Sequence, residues 1–386
     1  MPKKEVYMAV ATLVGTVIGA GILGIPYVVA KAGLVTGIID IVLIGLAVLC
    51  MNLFLGEVTL RTKGNHQLTG YATIYLGRWG RRLAAFAMIF GIYGALIAYL
   101  IKEGEFFQVL TGIGSPIVWS LMFFVAVSML IYRGLKAVGN SELYMVGFVL
   151  VVVLLISVLS FGWIDTENLT GFYPARLFVP YGVVLFAFLG SAAIPELREE
   201  LVLHREKMKK AIMIGSIIPM LVYILFATVV VGVTGAENIT EEAIIGLGEV
   251  MGQNMLLFGT VFGMLTMATS FLALGLALKE MYMYDYHLKP FRSTLLTVMV
   301  PLLITIAITL VGITNAFFRV IDITGVVSGG LTGILAVLML WKSKKVCERK
   351  PEFSIKRHRM VGLILIMVFV FGMIYKLGEI LGLISL

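Results

Sequence analysis

Twelve consecutive residues, Gly15-Thr-Val-Ile-Gly19-Ala-Gly21-Ile-Leu-Gly24-Ile-Pro26, place four glycines and a proline inside an apolar stretch. Glycine costs about 1 kcal/mol against alanine in a helix interior and proline about 3 kcal/mol, so this density predicts a helix that opens near residues 18–21. Inside hydrocarbon, an opened helix is tolerated only where its backbone groups are buried in protein or line a cavity. The half-helix after the break presents N–H groups and a positive dipole end, suited to a carboxylate; Gly19, Ala20 and Gly21 are the candidates. The half before it ends in carbonyls, suited to an ammonium group or a small cation, and Gly15 and Ile18 are the candidates there.

The feature recurs as Phe186-Ala-Phe188-Leu-Gly190-Ser191-Ala-Ala-Ile-Pro195-Glu196. Gly190 and Ser191 mark the second opening, and Phe186 and Phe188 offer surface for an apolar side chain. Glu196 is the carboxylate best placed for a proton step or an inner gate, because an ionisable residue at membrane depth is a functional candidate by default. Asp322 is a candidate for an outer gate. Tyr93 and Tyr99 could bond a carboxylate or close over a ligand. Plainer roles exist for each: aromatic packing, an interfacial tyrosine belt, or solvated acids. Small residues also serve close helix packing, a role that suits Gly37, Gly45, Gly325, Gly329, Gly330 and Gly333 best.

The elements that must position these residues are set by composition. Of 386 residues, 60% are hydrophobic and only 13% charged, with a mean hydropathy of +1.03, against roughly a quarter charged in soluble domains. An all-α polytopic membrane protein follows, a single domain over 1–386. About eleven segments reach the length of some twenty apolar residues that a bilayer requires: 7–31, 34–60, 83–102, 117–133, 143–162, 178–196, 211–233, 255–284, 294–311, 316–341 and 360–382. Breaks in the first and sixth segments, five spans apart, fit a five-plus-five inverted repeat with substrate near the midplane. Repeat one covers 7–162, repeat two 178–341, and 360–382 is an extra helix. The N-terminal stretch reads as a retained first span, without an Ala-x-Ala-like cleavage site.

Alternate loops, Lys136 among them, hold 25 of the 30 Lys and Arg residues; Lys31, Lys102, Arg176, Arg319 and Lys376 are the exceptions. The positive-inside rule then puts the N-terminus in the cytoplasm and the C-terminus outside, in the cell membrane. Residues 234–254 are acidic and read as an outer cap. The net charge of +8 is explained by this pattern and not by nucleic acid. Cys50 lies in a span and Cys347 in a basic loop, so no disulfide or thiolate metal site is expected. His66, His204, His287 and His358 fall in predicted loops, and no His-Glu-x-x-His or Gly-x-Ser-x-Gly motif is present, leaving an intramembrane enzyme without its chemistry.

The run Gly15 to Pro26 resembles the first-helix motif of permeases in the amino acid-polyamine-organocation superfamily. Ala268-Thr269-Ser270-Phe271-Leu272-Ala-Leu-Gly275-Leu-Ala-Leu resembles the eighth helix of hydroxy and aromatic amino acid permeases, within the amino acid/auxin permease group. Tyr99-Leu-Ile and Gly325 to Gly330 are weaker similarities. The resemblance implies the leucine-transporter fold, with sodium held between first-helix carbonyls, the Thr266 carbonyl and the hydroxyls of Thr269 and Ser270. Oxygen-only ligation suits a hard cation, although Thr and Ser in helices also bond back to the preceding turn.

The expected function is therefore symport of a neutral amino acid, aromatic or branched ones included, with a cation, by alternating access in the lipid bilayer. Sodium is favoured because 143–162 lacks the lysine that some proton-coupled relatives place at the cation position; no other cofactor is expected. Proton-coupled symport, uniport, a channel or a non-transporting amino acid sensor of the same fold are the alternatives.

Overall fold

The computed structural model describes residues 2–134, 138–346, 348–380 and 382–383; Lys136 and Cys347 lie outside them. Among the described residues the chain is helical, without strands. The first span is α1 (Pro2–Val17) and α2 (Gly21–Ala32), followed by α3 (Leu34–Arg61), α4 (Leu68–Thr111), α5 (Pro116–Arg133) and α6 (Val138–Ser160). The sixth is α7 (Tyr181–Ala187) and α8 (Ala193–Glu200). Next come α9 (Met208–Thr234), a short α10 (Ile244–Met251), α11 (Gln253–Tyr284) and α12 (Pro290–Val311). α13 (Ala316–Thr324), a π turn at Gly325–Gly329 and α14 (Gly330–Ser343) form one span, and α15 (His358–Ile380) is the last. Among the described residues, nine helical segments are long and apolar enough to cross a bilayer, ten with the bent α1–α2 pair. The expected eleven differs because the sixth span consists of two halves of seven and eight residues, each far short of bilayer thickness alone.

Both breaks form where the residue types require them. α1 and α2 meet at 58°, and Gly19 N–H turns back to the Val17 carbonyl at 3.0 Å instead of continuing the helical ladder. Packing fixes the rest. A Cβ on Gly37 would lie 2.8 Å from Val29 and one on Gly330 2.5 Å from Met373, so these glycines do serve helix contact. Gly33, at φ 87°, makes the tight turn between α2 and α3, where the Gly171 carbonyl leaves no room for a side chain. α5, α12 and α15 turn apolar side chains outward, among them Met122, Leu310 and Ile374, a surface that lipid covers.

The loops meet at two ends. At the basic end, Arg349 N–H reaches the Arg61 carbonyl. There the guanidinium of Arg198, 3% exposed, donates to the carbonyls of Thr62 and Gly64 and to the Tyr71 hydroxyl. Glu57, fully buried, gathers Arg61 (2.7 Å), Lys344 (3.1 Å) and the Ile355 N–H (2.7 Å). At the opposite end, Arg176 bonds the Lys31 carbonyl at 3.2 Å, and Lys102 pairs with Glu105 and with Glu242 of the acidic 234–254 segment.

Candidate functional site

The two breaks lie against each other. A Cβ on Gly21 would stand 2.5 Å from both Cα and Cβ of Ala187, so the first and sixth spans touch backbone to backbone where each is interrupted. The close-packing and helix-opening readings of these glycines are therefore both fulfilled at one place. Beside the contact lies a pocket lined by Thr16, Val17, Gly19 and Gly21 of the first span and Phe186, Ala187, Leu189, Ser191 and Ala192 of the sixth. Met88, Gly91, Ile92, Ala95 and Tyr99 of α4, with Ser328 and Thr332 of the tenth span, complete its wall. The space inside it that water can occupy is about 60 Å³, well below the roughly 300–1,000 Å³ of open small-molecule sites, so its walls stand close together.

Tyr99 is 3% exposed, and its hydroxyl faces Ser270 and the backbone of Ala20. A Cβ on Gly19 would meet that hydroxyl at 2.7 Å and Ser270 Oγ at 2.9 Å. The break in the first span, the α4 tyrosine and the α11 serine thus converge on one point. Ser270 Oγ is buried without a hydrogen bond of good geometry. Thr269 behaves as the plainer expectation has it, its hydroxyl donating to the Thr266 carbonyl at 2.9 Å, while Thr266 bonds back to Phe262 and Gly263.

Other expected residues stand elsewhere. Phe188 does not line the pocket; its ring packs on Tyr223 at 5.1 Å and against the Gly45 backbone, because the 188–192 turn directs it toward α3 and α9. Gly190 is a packing position, 2.5 Å from Val17 when given a Cβ. Ala20 and Ile18 are buried behind the wall, and Gly15 packs on Val146. Tyr93 joins α4 to Tyr282 (2.9 Å) and to the Leu296 carbonyl (2.8 Å), away from the pocket. Asp322 is 7% exposed and pairs with Lys376 of α15 at 3.5 Å, so its partner comes from the extra helix. Among the described residues no cluster of His, Cys, Asp or Glu could hold a metal.

Sequence reasoning missed the floor of the site. Tyr223 of α9, fully buried, donates its hydroxyl to the carbonyls of Val17 (2.9 Å) and Ala187 (2.8 Å), the last residues of α1 and α7. Nothing in the α9 pattern distinguishes it from a core tyrosine. The third and tenth spans also pack closely, a Cβ on Gly91 meeting the Ser328 Cβ at 3.0 Å, and this approach left a faint signal, since Gly91, Gly94, Ala95 and Ala98 recur at helical spacing in the third span.

The two sides of the pocket differ. Toward the basic end, Thr16, Ala192 and Leu274 are shared with a wide vestibule lined by Asn65, His66, Gln67, Glu196, Glu199, Glu200, Glu280 and Tyr284. Glu196 is half-buried on its wall, and Thr12 of α1 donates to Glu200 of α8 at 2.8 Å. Toward the opposite end, a Cβ on Gly24 would meet Ile321 at 2.9 Å and Val183 at 3.2 Å, and one on Gly325 would lie 2.7 Å from the Phe186 nitrogen. α2, α7 and α13 are closed on one another there.

A pocket between two interrupted helices, open toward one end only, is the arrangement of a carrier. A profile of the tryptophan/tyrosine permease family matches residues 2–376. The chain belongs to that family. The permease is 26% identical over 363 residues to "Tyrosine-specific transport system 1" of Haemophilus influenzae, covering 87% of this chain and 88% of the relative. It is 23% identical over 280 residues to "Glutamine transporter 2" of Aliivibrio fischeri, covering 69% and 72%. Its fold is that of MhsT crystallised with L-phenylalanine (TM-score 0.71, 13% identity, 95% of this chain and 97% of that one). The manganese transporter of Eremococcus coleocola, in complex with an aromatic bis-isothiourea substituted compound, also shares it (TM-score 0.70, 14% identity, 98% and 88%). The permease is thus a multi-pass amino acid transporter of the leucine-transporter fold.

Proposed function

We propose that this permease, within the amino acid/auxin permease group, moves a neutral aromatic amino acid together with a cation by alternating access. The observation that carries this reading is the pocket bounded by both breaks and by Tyr99 and Phe186, closed by packed helices toward one end and sharing Thr16, Ala192 and Leu274 with a vestibule at the other. In this reading the positive N-terminal end of α2, with Gly19, Ala20 and Gly21, takes the substrate carboxylate, Gly19 releasing its bond to the Val17 carbonyl and Ala20 its contact with the Tyr99 hydroxyl. Phe186 and the apolar wall of Met88 and Ile92 receive the side chain, and Ser191 a polar group. Inward-outward exchange follows from rocking of residues 7–162 against 178–341 around this centre, with the basic end in the cytoplasm.

The cation of this reading is sodium, held by the carbonyls of Gly15, Ile18 and Thr266 with the hydroxyls of Thr269 and Ser270. Ser270 supports it, being buried, unsatisfied and next to Gly19. A second reading, proton coupling, is favoured by Thr269, whose hydroxyl is already engaged with the Thr266 carbonyl; Glu196 in the vestibule or Asp322 beside Lys376 would then serve the proton step. Uptake of radiolabelled L-tyrosine, L-tryptophan and L-glutamine into proteoliposomes under imposed sodium or proton gradients decides between them. Counterflow separates both from a sensor, since a protein that binds without transporting gives none.

A further inference from the structure

The carbonyls of Val17 and Ala187 are the last in their half-helices, so neither accepts from an N–H of its own helix, and each carries the negative end of a helix dipole; Val17 also accepts from the Gly19 N–H of the break at 3.0 Å. They belong to two different interrupted spans and face the same buried oxygen. Tyr223 Oη lies 2.9 Å from one and 2.8 Å from the other. Its ring is held by Phe188, edge to face at 5.1 Å. Immediately beyond the two carbonyls stand Gly19 and Gly21 on one strand of the pocket wall and Ser191 and Ala192 on the other.

We infer that Tyr223 is a positioning residue of the transport site, whose hydroxyl fixes the two breaks at one spacing and thereby sets the width of the substrate pocket. This rests on the carrier reading above and adds a residue that touches no substrate. Two physical points carry it. A hydroxyl has one proton, so the bond is shared between the two carbonyls, and both are served only while the breaks stay at their present separation. A buried carbonyl that loses its donor is costly, so movement of one break without the other is opposed. The pair of interrupted helices is therefore indexed to α9, which lies behind them and contributes nothing to the pocket lining.

The test is Tyr223→Phe, which keeps the ring and its packing and removes only the hydroxyl. Binding of radiolabelled L-tyrosine to the purified protein and its uptake into proteoliposomes are measured side by side. The expected result is a dissociation constant and a KM raised about tenfold, the effect of one lost buried hydrogen bond, with maximal uptake rate within about twofold and the Tm lowered by the loss of the donor to the two buried carbonyls. Phe188→Leu, which loosens the ring but keeps the hydroxyl, is expected to lower the Tm while leaving the dissociation constant within about twofold. Unchanged affinity in Tyr223→Phe overturns the inference. So does a fall in maximal rate and Tm at constant KM, which is the signature of a purely structural tyrosine. Native protein that binds and transports none of L-tyrosine, L-tryptophan or L-glutamine overturns the carrier reading itself, and this inference with it.

Discussion

The two ends of the permease handle the same pair of broken helices in opposite ways. Toward the acidic cap, α2, α7 and α13 close on one another through glycines at Gly24 and Gly325, and ion pairs tie the surrounding elements: Asp322 to Lys376 and Lys102 to Glu242. Toward the basic end, α1 and α8 stand against α11 around a vestibule lined by glutamates, bridged by Thr12 and Glu200. The closed end is built of small residues and apolar contact, which resist separation. The open end is built of polar side chains that water can take over. An exchange of access therefore requires breaking dry contacts at one end while making them at the other, with the Gly21–Ala187 contact and Tyr223 as the shared pivot.

The largest effect is expected at that pivot. Gly21→Val forces two added methyl groups and a Cβ into the Ala187 backbone, and overpacking of this kind costs about 1–3 kcal/mol or more; substrate uptake should fall below detection while the protein still inserts, measured by proteoliposome uptake normalised to protein content. Next, Thr269→Ala combined with Ser270→Ala should abolish sodium stimulation of uptake. Unchanged sodium dependence removes the proposed cation site and leaves the proton reading.

Lys376→Met leaves the Asp322 carboxylate buried with its ion-pair partner gone, and breaking such a pair costs about 3–5 kcal/mol. A lowered Tm, restored in part by adding Asp322→Asn, should be seen by thermal unfolding in detergent. If the closed end depends on this pair, the single variant also becomes more reactive toward a thiol reagent at a cysteine placed at Ile321. The smallest effect belongs to Glu242→Gln, because Lys102 keeps Glu105 as partner. The Lys102–Glu242 pair is itself buried, its side chains 4% and 13% exposed, but Lys102 keeps a charged partner and no buried charge is left uncompensated, so uptake should change by less than about fivefold.

Much of the fold was legible because bilayer thickness imposes it: apolar length locates most spans within a few residues, the exception being the third, expected at 83–102 and running from Leu68 through a kink at Gly77 to Thr111. The first break was legible from the glycines and proline of Gly15 to Pro26, whose summed cost to a helix is high, although Gly15 and Gly24 serve close packing as well. The site was legible in part. Tyr99, Phe186, Ser191, Gly19 and Gly21 line the pocket, but Phe188 and Gly190 turn away, because the direction of a side chain in a non-helical turn depends on dihedrals that no periodicity encodes. Tyr223 and the Asp322–Lys376 pair were hidden for a different reason. Their meaning lies in contacts between spans far apart in sequence, and a buried tyrosine or a lysine near a helix end reads alike whether it is packing or holding a site together.

In the proposed transport, solute is concentrated through the pocket between the two breaks at the expense of a cation gradient. Uptake of radiolabelled L-tyrosine into proteoliposomes with an inward sodium gradient, against the same vesicles with sodium equal on both sides, tests it most directly. Transient accumulation above the outside concentration is expected only with the gradient, and none in Gly21→Val. Equilibration to the outside concentration under every sodium and proton gradient, or unaltered accumulation in Gly21→Val, would contradict it.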